Sequence, residues 1–153
     1  MKTKTIGLTL ALFFAAGAVC FAANANMGTW KLNMKKSKLS RDANRNNTVV
    51  YSSMFFQTKV TIDGTDAKGK PIHSEWKGNF DGKDYAVTGD PMEDMRAYTK
   101  VDDHTLNFTM KKGGKVVLTG KIVVAADGKS RTVTAWSMKG KKKVTSTAVY
   151  DKA

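Results

Sequence analysis

The sequence predicts an all-β protein, an antiparallel up-and-down meander of about 8–10 strands that closes into a barrel. Short segments alternate apolar and polar residues, which is typical of strands with one buried and one solvated face. Glycine turns of similar composition separate these segments, and Asp-Gly and Gly-Gly pairs favour tight hairpins. The turns are Lys68-Gly69-Lys70, Asp81-Gly82-Lys83, Gly113-Gly114-Lys115, Asp127-Gly128-Lys129 and Lys139-Gly140-Lys141. Because an open meander of this length would leave two exposed edges, closure is the simplest arrangement.

The first 25 residues have the features of a cleaved secretory signal peptide. Lys2 and Lys4 form a basic start, an apolar stretch covers residues 6–20, and Ala23-Asn24-Ala25 is a small-x-small cleavage site. We expect cleavage after Ala25 and a periplasmic or secreted location. Cys20 offers lipoprotein anchoring as an alternative, but the preceding residues 17–19 match a lipoprotein signal poorly.

The expected mature chain, residues 26–153, has the length of a single domain. It contains no cysteine, so its stability must come from apolar burial and sheet hydrogen bonds. Loss of the two leader lysines lowers the net charge from +13 to +11. Such a basic surface favours anionic partners, and an exported protein meets anionic lipid and envelope polymers more readily than nucleic acid. We expect a monomer that does not bind nucleic acid.

The first predicted strand, residues 28–33, opens with Gly28-Thr29-Trp30. The glycine permits a tight turn, and the tryptophan can plug one end of a closed sheet with a large apolar surface. The next segment, residues 34–47, is rich in lysine and arginine and lacks a 3.6-residue apolar period. We therefore predict a loop there, with room for one helical turn.

Nine further strands are predicted from residue 48 onward. They cover residues 48–53, 55–62, 71–80, 84–88, 95–101, 105–111, 115–125, 130–137 and 143–151. Alternation along the strands predicts which side chains point inward. The predicted inward residues are Trp30, Leu32, Met54, Phe56, Val60, Ile62, Ile72, Trp76, Phe80, Tyr85, Val87, Leu106, Phe108, Met110, Val116, Leu118, Ile122 and Val124.

Both ends of the mature chain resemble the calycin group, which contains lipocalins and fatty-acid-binding proteins. The opening Gly28-Thr29-Trp30-Lys31-Leu32 is similar to the first strand of both families, and residues 147–152 are similar to the last strand of the fatty-acid-binding branch. Small exported bacterial lipocalin-like proteins share the opening and the Asp-Gly-Lys hairpins. The resemblance implies a calycin-type β-barrel, with residues 26–153 as a lipocalin-like domain around a cavity for a small apolar or amphipathic ligand.

Two departures from the fatty-acid-binding pattern bear on the ligand. That family places an arginine two residues before the last-strand tyrosine, where this chain has Ala148, so only Tyr150 corresponds. The helical lid of that family is replaced here by the basic segment 34–47. In lipocalins an arginine packs over the first-strand tryptophan, and Arg131 and Lys152 are the candidates for that position.

Seven aromatic residues are predicted to line a ligand cavity, since inward aromatic rings suit an apolar ligand. They are Trp30, Phe56, Trp76, Phe80, Tyr85, Phe108 and Tyr150. The alternative is that these rings simply fill the interior, as happens in barrels of about eight strands. Ten strands enclose more space, which favours the cavity.

Two groups of lysines are predicted as contacts to an anion or a membrane. They are Lys35, Lys36 and Lys38 on the first loop, and Lys141, Lys142 and Lys143 on the last hairpin. The alternative function is therefore a basic envelope interaction protein that docks on anionic lipid or polymer, with a filled, non-binding barrel. These lysines can equally be solvated loop residues that keep the protein soluble.

The sequence contains no recognisable catalytic apparatus. We find no nucleophile motif, no glycine-rich phosphate loop and no carboxylate pair at a suggestive spacing. His73 and His104 are the only histidines, too few for a typical metal site without thiol ligands. We therefore predict a protein that is not an enzyme, without a cofactor or a metal ion.

Overall fold

The computed structural model describes residues 24–153. In these residues the chain forms ten strands and one 3-10 turn, Met34–Lys36. The strands are β1 (Gly28–Leu32), β2 (Arg45–Met54), β3 (Gln57–Thr65), β4 (Pro71–Gly78), β5 (Tyr85–Thr88), β6 (Met95–Lys100), β7 (Thr105–Lys112), β8 (Lys115–Val124), β9 (Ser130–Lys139) and β10 (Lys142–Lys152). No helix in this part of the chain has the length and apolar character needed to cross a membrane.

The ten strands form one closed antiparallel barrel. Each strand pairs with its neighbour in sequence, and β10 pairs with β1, where Leu32 lies opposite Tyr150. The predicted fold class, an all-β meander closed into a barrel, is therefore confirmed. Since successive strands run in opposite directions, the connections alternate between two ends of the barrel.

We name these ends by what occupies them. The plugged end contains residues 24–27 and the loops 55–56, 79–84, 101–104 and 125–129. The open end contains the segments 33–44, 66–70, 89–94, 113–114 and 140–141.

Trp30 closes the plugged end, as predicted. Its side chain is completely buried, and its indole Nε1 donates a hydrogen bond of 2.8 Å to the carbonyl of Asn26. Asn26 is itself completely buried in the turn that precedes β1. The chain before β1 therefore seals this end, and the tryptophan is oriented by backbone that is also buried.

The predicted signal peptide lies outside the described residues, apart from residues 24 and 25. Ala25 contacts the barrel, because its amide donates to the carbonyl of Asp103 at 3.2 Å, and the Asn24 side chain accepts from the Asn26 amide at 2.9 Å within the turn before β1. The cleavage site after Ala25 stays a prediction.

Segment 34–47 is partly a strand rather than a loop throughout. β2 begins at Arg45, three residues before the predicted start, and its register with β3 shifts between Arg45 and Thr48. Gly64 makes this shift possible, since a Cβ atom at that position would lie 2.0 Å from the Arg45 carbonyl oxygen. The predicted helical turn is present as the 3-10 turn Met34–Lys36.

The predicted inward position of Phe56 is wrong. Met54 and Gln57 pair as the last residues of β2 and β3, so Phe55 and Phe56 form the two-residue turn between them. Their side chains are 98% and 95% exposed. The third strand therefore begins two residues later than predicted, because this turn lacks the glycine, asparagine or aspartate that usually identifies a hairpin.

Val116 is also misplaced by simple alternation. A bulge lies in β8, where Met110 pairs with Leu118 and Lys111 pairs with Val116, which leaves Val117 without a partner opposite it. An extra residue in one strand reverses the faces beyond it. Val116 is consequently 56% exposed, and Val117 faces the interior cavity instead.

Replacing Phe55 with glycine is expected to raise the free energy of unfolding by about 0.5–1 kcal/mol. Phe55 has a φ of 51°, a left-handed conformation that costs a non-glycine residue about 1–2 kcal/mol. Glycine removes that strain but loses about 0.5–1 kcal/mol more conformational entropy on folding. Phe56→Gly is the matched control, since Phe56 lacks the positive φ and its replacement should only destabilise. Urea unfolding measures the stability of both variants. A loss of stability in Phe55→Gly would contradict the view that the positive φ strains Phe55.

Candidate ligand site

A cavity of about 250 Å³ lies inside the barrel and reaches its open end. Its volume is somewhat below the roughly 300–1,000 Å³ of drug-sized ligand sites, but apolar cavities of about 150 Å³ already hold benzene. Most of its wall is apolar. The apolar lining includes Leu39, Ala43, Val49, Tyr51, Ile62, Met92, Tyr98, Phe108, Met110, Val117, Leu118, Ile122, Val133, Ala135, Val144, Ala148 and Tyr150. The predicted cavity is present, and the interior is not completely filled.

The segment 38–44 crosses the mouth of this cavity. It is attached to β10 by backbone hydrogen bonds between Lys38 and Thr147, of 2.7 and 2.8 Å, and by a bond of 2.8 Å from the Ser40 amide to the Ser146 hydroxyl. Further along, Asp42 forms a salt bridge with Lys139 of β9. The chain thus lies over the opening as a strap, and Leu39 and Ala43 supply part of its apolar inner surface.

An aromatic cluster fills the barrel on the plugged side of the cavity. Trp76 lies at its centre, and its ring centroid is 4.9 Å from that of Tyr98, 5.6 Å from Tyr85 and 6.1 Å from Phe80. The Trp76 indole Nε1 also donates to the carbonyl of Arg96 at 2.9 Å. These rings form the base of the site and hold it in one arrangement, because most of the pairs are edge-to-face contacts with defined geometry.

A buried network of charged and hydroxyl groups borders the cavity. Arg96 forms an ion pair with Glu93 through Nε at 3.1 Å and through Nη2, and both side chains are almost fully buried. Arg96 Nη1 donates to the Tyr98 hydroxyl at 3.0 Å, and the Tyr51 hydroxyl donates to the same oxygen at 3.4 Å. Burial raises the pKa of Tyr98 far above its usual value. The network therefore joins one ion pair to a Tyr98 phenol that stays neutral at ordinary pH.

Arg131 contributes a second buried guanidinium to the cavity wall. Its Cζ lies 4.9 Å from the ring centroids of Trp30, Tyr51 and Tyr150, so it is surrounded by three aromatic rings. Its Nε and Nη1 are buried and have no hydrogen-bond partner among residues 24–153. Lys152 lies on the same tryptophan, with Nζ at 5.0 Å from the ring. Both candidates for the position over Trp30 are thus found there.

Tyr150 lies opposite Arg131 in the β9–β10 pairing and lines the cavity. Burial raises the pKa of its hydroxyl to about 12, although the neighbouring Arg131 charge acts in the opposite direction. The phenol is therefore neutral over the physiological range and can donate or accept a hydrogen bond inside the cavity.

This raised pKa predicts a loss of stability at alkaline pH. Below about pH 10 the phenol is neutral in both states, so its contribution is fully present; between about pH 10 and 12 only the unfolded chain ionises, and the contribution is lost. For Tyr150 the full loss, reached above about pH 12, amounts to about 3 kcal/mol, of which about 2 kcal/mol is lost by pH 11.5. Urea unfolding at pH 9 and pH 11.5 measures the difference. The difference in the free energy of unfolding between these two pH values should be smaller in Tyr150→Phe. An unchanged difference would contradict the raised pKa of Tyr150.

The structure separates the seven predicted ligand-binding residues into three groups. Phe108 and Tyr150 line the cavity. Four others, Trp30, Trp76, Phe80 and Tyr85, pack in or against the core beside it. Phe56 lies on the exposed turn at the plugged end, away from the cavity, because it belongs to the β2–β3 turn.

The predicted anion-contact lysines are all exposed but do not form one compact cluster. Lys35, Lys36 and Lys38 lie on the segment beside the second half of β10. Lys141, Lys142 and Lys143 lie where β10 begins, at the open end of the barrel. Thr147, which pairs with Lys38, and Lys142 are five residue steps apart along β10, a distance of roughly 17 Å. Lys36 also lies 3.8 Å from Asp151, and the Lys143 ammonium lies 5.0 Å from the Trp136 ring.

The histidines occupy the outer surface. His73 bonds Asp63 at 2.5 Å across the β3–β4 pairing, and this carboxylate raises the pKa of the exposed imidazole. His104 lies in the turn before β7, where its amide donates to the Asp102 side chain at 2.8 Å. Across residues 24–153, no group of three or more His, Cys, Asp or Glu side chains is placed to hold a metal ion.

Comparisons with known proteins add little to this geometry. No family model matches the chain. The search of curated proteins gives no match. Among solved structures, the chain is similar to a redesigned β-barrel, mFAP1, bound to DFHBI, with 17% sequence identity over 84% of this chain and 95% of that chain and a TM-score of 0.43.

Sequence reasoning missed the polar side of the cavity. Glu93 and Arg96 were not candidates, because charged residues beside a turn are usually solvated. Arg131 was a candidate only for packing over the tryptophan. One signal was present, since Arg131 and Arg96 both occupy inward positions of alternating strands, where a charge requires a partner or a ligand.

Proposed function

We propose that this chain is an exported, lipocalin-like binding protein that holds a small apolar or amphipathic ligand in its barrel. The cavity of about 250 Å³, apolar along most of its wall and continuous with the open end, is the observation that supports binding. An unfilled apolar space inside a closed barrel forgoes packing energy, which a ligand of matching shape would restore. Binding is proposed because the wall of the cavity is mostly apolar, as in sites that hold small ligands.

Membership of the calycin group is part of this proposal. It is supported by the first-strand tryptophan that seals one end, and by Arg131 and Lys152 lying on its ring. The ten-strand closed meander is compatible with the fatty-acid-binding branch, while the basic strap in place of a helical lid differs from it. Export rests on the leader sequence alone.

A neutral fluorescent probe, N-phenyl-1-naphthylamine, tests the binding proposal. We expect saturable enhancement of its fluorescence with the mature protein at micromolar concentration. Ala148→Phe should weaken this binding at least about tenfold, because the new ring occupies the cavity wall at a residue that is now 8% exposed. Thr145→Phe on the exposed outer face of the same strand is the matched control and should bind normally.

Unfolding curves of both variants are needed to interpret this result. If Ala148→Phe does not fold, Val133→Phe offers a second inward position on the neighbouring strand. Equal binding by wild type and a folded cavity variant would place the probe outside the barrel and contradict the proposal. Absence of saturable binding by the wild type would contradict it as well.

The exposed lysines support the second candidate, docking on anionic lipid or polymer. Changing Lys141, Lys142 and Lys143 to glutamate should abolish binding to anionic vesicles under this candidate and leave the naphthylamine probe unaffected. Because exposed charges are screened over about 8–10 Å, vesicle binding should also weaken steeply with salt. Vesicle binding that is insensitive to both changes would rule the lysines out as the contact.

A further inference from the structure

The turn between β2 and β3 exposes two aromatic side chains at the plugged end of the barrel. Phe55 and Phe56 are almost completely exposed, and Met54 before them is partly exposed. Every other aromatic side chain among residues 24–153 is buried or half-buried. Single exposed apolar residues are common on protein surfaces, but adjacent large ones indicate a contact site.

The turn projects beyond the strands on both sides of it. The pairing of β2 with β1 ends at Tyr51, and the pairing of β3 with β4 ends at Thr58. Residues 52–57, which we call the β2–β3 tip, therefore pair only within their own hairpin. Met54 lies three residue steps beyond Tyr51, so the tip extends roughly 10 Å past the last pair with β1.

The β2–β3 tip contains no charged residue. Its sequence is Ser-Ser-Met-Phe-Phe-Gln, and no charge lies between Arg45 and Lys59, although 25% of the whole chain is charged. Charged groups are costly to move out of water, whereas phenylalanine side chains favour the boundary between lipid headgroups and acyl chains. The tip thus has the composition of an element that enters this boundary.

The backbone of Phe55 is a second, independent observation. Its φ of 51° lies in the left-handed region, where glycine, asparagine and aspartate are the usual residues. Two-residue hairpin turns favour the same residue types. Stability alone would therefore favour glycine or asparagine at this position, and strained residues of this kind cluster at functional contacts. The ring is thus present at a cost in stability.

The size and position of the β2–β3 tip favour a lipid bilayer over a protein partner. Two phenylalanine side chains present about 300–500 Å². A stable protein interface buries about 800 Å² on each partner, whereas a bilayer accepts a small convex tip without a complementary pocket. The predicted leader, with its apolar stretch 6–20, also joins the barrel at the plugged end.

From these observations we propose that the β2–β3 tip inserts Phe55 and Phe56 into the interfacial region of a lipid bilayer. The plugged end then faces the lipid, and the cavity mouth at the open end faces the aqueous phase. This proposal goes beyond ligand binding and does not depend on it. It also gives the opposite orientation to docking through Lys141, Lys142 and Lys143, which lie at the open end.

Vesicle sedimentation with the mature protein tests the proposal. We expect the wild type to bind neutral phosphatidylcholine vesicles, with no loss at high salt because the tip is uncharged. Phe55→Asn/Phe56→Ser should weaken this binding at least about tenfold, since two rings no longer leave water. Asparagine tolerates the positive φ, so this variant is expected to fold.

A matched control removes two exposed apolar side chains from elsewhere on the barrel. Val116 and Met138 lie on the outer face near the open end and are both exposed. Val116→Ser/Met138→Ser should bind neutral vesicles as well as the wild type. Equal weakening by the control pair and by the tip pair would show that general surface hydrophobicity, and not the tip, determines binding.

Phe56→Trp reports insertion directly. Vesicles of brominated phosphatidylcholine quench a tryptophan that reaches the acyl region, so the fluorescence of this variant should fall on binding. The wild type should show no quenching, because Trp30 and Trp76 are buried. Trp136 is six residue steps beyond the start of β9, roughly 20 Å from the plugged end, and would report docking through the open end instead.

Each outcome supports or overturns the proposal. Quenching in Phe56→Trp alone, together with weaker binding by the tip pair, supports it. Absence of wild-type binding to neutral vesicles, equal quenching in wild type and Phe56→Trp, or binding without quenching overturns it. A dimer that the tip substitutions convert to a monomer, without vesicle binding, would assign the tip to a contact between two copies. If the tip pair does not fold, the quenching of Phe56→Trp still decides.

Discussion

Replacing Glu93 with alanine is expected to lower the free energy of unfolding by about 3–5 kcal/mol, among the largest effects of any single substitution in this chain. Glu93 is 1% exposed and neutralises Arg96, which is buried as well. Removing one partner leaves a guanidinium without compensation in an interior that already contains the unpaired Arg131. The interior would then contain two uncompensated positive charges. Urea unfolding at neutral pH measures the loss.

An exposed ion pair in the same sheet provides the control. Lys59 and Glu75 form a salt bridge of 2.7 Å between β3 and β4, with side chains 30% and 32% exposed. Such pairs contribute about 0–1 kcal/mol, so Glu75→Ala should have a small effect. Equal losses in Glu93→Ala and Glu75→Ala would show that the burial of Glu93 is irrelevant to its contribution.

Removing both buried partners should be less damaging than removing one. In Glu93→Leu/Arg96→Met no charge is left behind, and apolar groups of similar size replace a desolvated pair. The loss of stability should therefore fall below that of Glu93→Leu alone. A double variant that is as unstable as the sum of the single variants would indicate that the two side chains act independently.

The barrel was predictable because its signals are local. Alternation over five to ten residues indicates strands, and glycine turns indicate where the strands reverse. Closure then follows from the exposed edges that an open meander would have. The position of Trp30 at one end also follows from local sequence, since a large apolar residue after a glycine opens the first strand.

The errors arise where two readings of the local pattern are equally good. The run Val116-Val117-Leu118 is apolar on both faces, so alternation alone does not reveal the bulge that turns Val117 inward. Phe55 and Phe56 form a turn without turn-forming residues, so the strand pattern continues through them. In both cases the pairing with the neighbouring strand determines which residues point inward and which form the turn. This pairing joins residues that are distant in sequence, so the local pattern does not show it.

The polar side of the site depends on contacts that are distant in sequence. Arg131 meets Tyr150 across the β9–β10 hairpin, but it meets Trp30 and Tyr51 only because the barrel closes and brings β1 and β2 up to β10. The absence of the expected arginine at Ala148 disfavoured a carboxylate site of the usual kind. Arg131 lies on the neighbouring strand, directly opposite Tyr150, at a position that local sequence does not connect with the cavity.

Replacing Trp30 with alanine is expected to lower the free energy of unfolding by about 3–5 kcal/mol. The side chain is completely buried and donates to the Asn26 carbonyl, and its ring lies 4.9 Å from the Arg131 Cζ and 5.0 Å from the Lys152 Nζ. Its loss opens a void at the plugged end and removes one of the three rings that stabilise the Arg131 charge. Urea unfolding followed by circular dichroism avoids dependence on tryptophan fluorescence.

Trp136→Ala is the matched control, because the same residue type is removed from the outer face of the barrel. Trp136 is half-buried there and contacts the exposed Lys143, so its loss should cost about 1 kcal/mol. Comparing the two tryptophan variants also separates the contribution of packing from the contribution of contact with a buried charge. In an Arg131→Met background the Trp30→Ala loss should shrink, since no buried guanidinium then depends on the ring, whereas the Trp136→Ala loss should not change. An unchanged Trp30→Ala loss in that background would mean that the ring acts by filling space alone.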